Sequence, residues 1–121
     1  MAREATVTIA NGASLSGAVQ LGYPVGPSAR GVREVLVGIK MPGSWTSADL
    51  TFQVSTDNSA FYDLQTQTGE ASAKAAANQW VAVDPNLTRG VGYIKVRSGT
   101  AGSPVNQGGA RVLTLVFASV R

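Results

Sequence analysis

Apolar and polar residues alternate with a period of two along nearly the whole chain, and this constrains the fold more than any other feature. That period sets successive side chains on opposite faces of an extended strand, whereas a helical face repeats every third or fourth residue. Leu50, Phe52 and Val54 face one way while Thr51, Gln53 and Ser55 face the other. Thr6 to Ile9 alternates ahead of a turn at Asn11-Gly12, and Leu15, Gly17, Val19 and Leu21 then share one parity. Val35 to Ile39 reads as a strand buried on both faces and stopped by Pro42-Gly43. Asp57-Asn58-Ser59 supplies turn chemistry, because short polar side chains bond their own backbone there. Phe61 to Leu64 is expected to return as the second arm of that hairpin, with Phe61 re-entering the core. Gln79 to Val83 is a short strand ended by Asp84-Pro85, and Gly92 to Arg97 has one wet face made of Tyr93, Lys95 and Arg97. Arg111 to Val120 is the longest strand, with Leu113, Leu115 and Phe117 on one parity and Val112, Val116 and Val120 on the other.

The connecting stretches read as loops: Gly22 to Gly31, rich in glycine and proline, and Ser98 to Gly109. Glu70 to Asn78 has a helix-favouring composition, with five alanines, but no large apolar residues at helical spacing. It is expected to be a loop with at most one helical turn. About eight strands without helical spacers are expected to pair mostly antiparallel, since parallel pairing needs crossovers of roughly a dozen residues. The expectation is therefore all-β: a single antiparallel β-sandwich of the jelly-roll kind spanning residues 1–121. A chain of 121 residues suits one domain and one core. Residues 1–7 and 117–121 are expected to serve as docking arms that order on contact.

Composition excludes much chemistry. The chain has no cysteine and no histidine, which removes thiol catalysis, disulfides and the commonest general base and metal ligand. Its seven carboxylates fall in no hydrolase motif, and no serine stands three residues before a lysine. No catalysis, cofactor or metal is expected. Asp57, Asn58 and Asp63 offer oxygen ligands for calcium but lack EF-hand spacing. A formal charge of +3 and a pI near 9.7 reflect sparse charge, and the ten basic residues never form a run, which argues against a nucleic-acid partner. No stretch approaches the ~20 apolar residues of a membrane helix, and Met1 to Thr8 does not read as a signal peptide. Trp45 and Trp80, with Tyr23, Tyr62 and Tyr93, offer a glycan-stacking platform, of which Trp45, Tyr62 and Tyr93 are the candidates. Against that stands the reading in which Trp45 and Trp80 plug the core.

Six short runs carry a resemblance. The run Val37 to Thr46 (VGIKMPGSWT) is followed by Leu50 to Ser55 and Phe61-Tyr62-Asp63. Gly92 to Thr100 (GYIKVRSGT) precedes Pro104-Val105-Asn106-Gln107, and Arg111 to Leu115 closes the series. In this order, over residues 13–116, they resemble a family of small virion proteins of tailed bacteriophages and gene-transfer particles. The stretch Gly22 to Arg33 departs from that pattern, being longer and richer in proline and glycine. The resemblance implies a jelly-roll or sandwich protein of the particle exterior, a capsid cement, decoration or head-fibre component with no chemical step. It implies the major capsid protein and other virion proteins as partners, a homo-oligomer with trimers preferred, and synthesis in the host cytoplasm. Arg111 to Val120, apolar on both parities, is expected to be a central strand or a subunit contact, with Arg111, Val112, Val116 and Val120 as the candidate interface. The alternative is a receptor- or glycan-binding module of a tail or head fibre.

Overall fold

The computed structural model describes residues 2–22 and 33–120. The strands are β1 (Ala2–Ile9), β2 (Val19–Gln20), β3 (Arg33–Lys40), β4 (Leu50–Ser55), β5 (Tyr62–Asp63) and β6 (Gln65–Thr66). They continue with β7 (Gly69–Glu70), β8 (Ser72–Ala73), β9 (Trp80–Ala82), β10 (Tyr93–Ser98) and β11 (Arg111–Val120). A front sheet runs β1-β11-β3-β9 and a back sheet runs β2-β10-β4-β5, with β8 also paired to β4. All of these pairings are antiparallel. The partners are nested: β1 with β11, β2 with β10, β3 with β9, and β4 with β5 and β8. One long hairpin rolled onto itself gives that order, and it is a jelly roll.

The core lies between the sheets. The front sheet sends in Val7, Ile9, Leu36, Ile39, Leu113, Leu115 and Phe117, and the back sheet Leu50, Phe52, Ile94 and Val96. In β3 the ladder shifts: Val116 pairs with Gly38 and Phe117 with Leu36, so Val37 has no opposite number. A bulge of this kind resets the parity. Leu36 and Ile39, three residues apart, thus both reach the core and are fully buried.

Several expectations change. The ladder in the stretch Leu15 to Leu21 narrows to Val19–Gln20, with a lone bridge from Leu15 to Arg97. Ser16 explains the gap: its Oγ accepts from Val96 N at 2.9 Å, taking a bond that a strand backbone would otherwise make. Glu70 to Asn78 holds no helical turn, because Glu70 lies in β7 and Ser72–Ala73 pairs with β4. The helical turn is a 3-10 turn at Pro85–Thr88, where Asp84 caps Asn86 N and Pro85 begins the turn. The 57–60 turn forms as expected, with Asn58 at φ 60° and the Asp57 carboxylate accepting from Ser59 N and Ala60 N. Phe61 does not re-enter the core. Tyr62 pairs with Val54, so Phe61 takes the opposite parity and lies outside the back sheet under Lys95, whose Nζ is 4.3 Å from the ring centre. The expected docking arms are, over residues 2–7 and 117–120, paired ends of β1 and β11, with Phe117 fully buried.

Candidate interaction face

The chain covers the outer face of its own back sheet. Arg97 was expected to be wet but is 6% exposed. Its Nε donates to Thr51 Oγ1 at 3.0 Å, Nη1 to Asp63 at 2.8 Å and Nη2 to Glu70 at 2.7 Å. Glu70 in turn accepts from Ala101 N at 3.0 Å. Thr51 Oγ1 donates to Gly99 O at 2.7 Å, and only glycine suits that position: φ is +89° and a Cβ would stand 2.6 Å from Ser103 O. Two carboxylates and a guanidinium thus fasten the segments around residues 63, 70 and 101 over this face. Asp63 is held here by Arg97, while Asp57 is engaged in its own turn, so the two are not assembled as a calcium site. Among the described residues no cluster of three or more metal-ligating side chains forms, and no helix is long and apolar enough to cross a membrane.

The outer face of the front sheet is left largely uncovered. Register places Thr6, Thr114, Lys40 and Trp80 in one row, and Glu4, Val116, Gly38 and Ala82 in the next. Trp80 is not a core plug. It is 58% exposed, and its indole rests on Gly38, where a Cβ would meet Nε1 at 2.7 Å. Lys40 Nζ stands 5.7 Å from the indole centre and donates to Glu4 at 2.6 Å. Val112 is 51% exposed on the same face, opposite Thr8. Val81 and Val83, on the parity opposite Trp80, take the inward positions instead. That pair of valines was the signal in the sequence for an outward Trp80.

The other candidate residues separate. Val116 shares the outer face but is buried in its row, between Glu4 and Gly38. Arg111 is half-buried and bonded within the chain, its Nε donating to Gln107 Oε1 at 3.2 Å. Val120 pairs with Arg33, and its side chain lies outside the described residues. Trp45 packs half-buried against the core and donates from Nε1 to Ala48 O at 3.0 Å. Tyr62 is exposed and Tyr93 half-buried; one pairs with Val54 and the other with the adjacent Ser55, which puts them on opposite faces of the back sheet. These three aromatics therefore form no common platform, and Tyr23 lies outside the described residues.

Several of the motif residues that sequence reading singled out meet at one end of the sandwich. Gln107, 1% exposed, accepts from Thr46 N at 2.8 Å and donates from Nε2 to Thr46 O at 3.0 Å and Ser98 Oγ at 2.7 Å. Its backbone bonds Gly12 and Ala13 as well. The side-chain amide and the backbone of this one residue together lock four chain segments, so these motif positions are structural. At the other end, the Glu34 side chain is 1% exposed and accepts from Arg3 Nη2 at 2.8 Å and Gly22 N at 2.6 Å. Burial pushes its carboxyl up, but the Arg3 hydrogen bond, the Gly22 N–H and the Arg3 charge outweigh that and hold it below the ordinary value. Sequence reading missed this pair, since nothing local marks Glu34 as buried.

At the edge of the sandwich, between β9 and β8, lies a slot of about 440 Å³ lined by Phe52, Ala73, Lys74, Val81, Val83 and Leu87, among others.

No family model and no curated protein matches the chain. Among solved structures, the chain is similar to the crystal structure of SPBc2 prophage-derived protein YomS. The match covers 98% of this chain and 96% of that one, with 17% identity and a TM-score of 0.43.

Proposed function

We propose that the chain is a structural protein of a tailed-phage particle, binding the capsid exterior as a cement or decoration subunit and transforming no molecule. The observation that carries this reading is the asymmetry of the two faces. The back sheet is closed by the chain's own segments, while the front sheet leaves Trp80 and Val112 exposed among threonines. Exposed apolar side chains on a pleated, weakly charged face suit contact with a neighbouring subunit. The partners are the major capsid protein and other copies of the chain, with trimers preferred, and the mechanism is added buried interface between capsomers. Particles carrying Val112→Asp are expected to release their genome at lower temperature than wild-type particles, as are particles lacking the chain. Equal heat resistance with and without the chain overturns the cement role.

A second reading, a receptor- or glycan-binding module of a tail or head fibre, draws on the exposed indole of Trp80 alone. It requires host glycans to change tryptophan fluorescence in the wild type and not in Trp80→Ala.

A further inference from the structure

Among the described residues, strand β9 is an edge of the front sheet that pairs with β3 alone. Its bonds to β3 run through alternate residues: Met41 N donates to Gln79 O at 2.8 Å, Val81 pairs with Ile39, and Val83 N donates to Val37 O at 3.1 Å. In an antiparallel ladder the intervening N–H and C=O groups, those of Trp80 and Ala82, point to the open side. Folded proteins usually guard such edges with charge, proline or bulges. The opposite edge, β1, carries Arg3 and Glu4, whereas residues 79–83 hold no charge and no proline. The slot runs beside this edge. Phe52, Val81, Val83 and Leu87 give the slot an apolar lining. Lys74 and Asp84 both line the slot; the Asp84 carboxylate accepts from Asn86 N at 3.0 Å, and Lys74 makes no ion pair among the described residues.

We infer that β9 takes up an extended segment of a neighbouring shell protein as an added strand, with one apolar side chain seated in the slot and a carboxylate against Lys74. Main-chain bonds supply the attachment in strand addition, and a pocket for alternate side chains selects the segment. The unpaired ammonium at the slot is the charge feature that an acidic segment complements. A second copy of β9 fits less well, because its Val81 is already buried in its own core and has nothing to offer the slot. The inference rests on the reading of the chain as a shell component.

Ala82→Pro removes one outward N–H and breaks no bond to β3, a change that edge strands accept. Lys74→Glu reverses the charge at the slot. Particles stripped of the chain are titrated with wild type and with each variant, after thermal midpoints have been matched. Each variant is expected to bind about tenfold more weakly or worse, and the amides of Trp80 and Ala82 are expected to exchange slowly only on the particle. Variants that bind as wild type does, with those amides exchanging as in the free chain, overturn the inference and leave the shell role standing. Wild type that does not bind particles overturns the shell reading and this inference with it. A dimer of the purified chain that Ala82→Pro abolishes gives the edge to a second copy and overturns the assignment. Should Ala82→Pro fail to fold, Lys74→Glu and the exchange measurement decide.

Discussion

The indole of Trp80 and the backbone of Gly38 are in direct contact across neighbouring strands: Nε1, Cε2 and Cζ2 lie 2.7–2.8 Å from where a Cβ on residue 38 would be. Glycine is what lets a large aromatic lie down on the sheet. Gly38→Ala must lift the ring or shift the strand, at a cost of about 1–3 kcal/mol, the range for inserting a methyl into a filled space. Acrylamide should then quench tryptophan emission more strongly than in wild type.

Gln107→Ala removes the amide that serves Thr46, Ser98 and Arg111 together. It strands buried donors and acceptors, and each unsatisfied group costs roughly 1–3 kcal/mol. Urea unfolding should show a loss in that range or above it. Gln107→Glu, which keeps the shape but can no longer donate to Thr46 O, is expected to recover only part.

Arg97 is nearly buried between Asp63 and Glu70, whose side chains are 38% and 19% exposed. Removing one partner of a fully buried pair costs about 3–5 kcal/mol, and the partial exposure of the acids lowers that to about 2–3. Arg97→Met should lose this much, and amide exchange near residues 63–70 should rise first because that segment is fastened from this side chain. A uniform rise across the whole chain would count against a local clasp.

Glu34 fixes the sign of the acid limb. Its carboxyl titrates below the ordinary value of 4.5 when folded, so between the two values the unfolded chain binds more protons than the folded one. The contribution is complete above the ordinary carboxylate range and disappears as pH falls through the lowered value. On acidification through 4.5 and below, Glu34→Gln should lose less stability than wild type. A wild-type curve parallel to that of the variant would remove Glu34 from the account.

Much of the roll was legible because strands declare themselves locally. Leu50 to Ser55 and Arg111 to Val120 were readable from alternation alone, and Asp57-Asn58-Ser59 from turn chemistry. What was not legible depends on a neighbour distant in sequence. Trp80 looks like core material until Gly38 is seen beneath it. Phe61 follows the parity that Tyr62 inherits from Val54. Ser16 interrupts a ladder only because the Val96 N–H is there to donate to its hydroxyl oxygen. The candidate contact residues divided for the same reason: Val112 and Val116 are alike in sequence, and only the adjoining strand makes one open and the other closed.

The nested pairing also orders events during synthesis. β11 lies between β1 and β3, and Ala2 pairs with Ala118. A growing chain therefore holds β1 and β3 as two raw borders until residues 111–120 have emerged from the ribosome. Closing so distant a pair is slow compared with forming local hairpins. Nascent copies made close together in bulk could thus borrow each other's final strand, and a version clipped before Arg111 should aggregate rather than persist as a smaller roll.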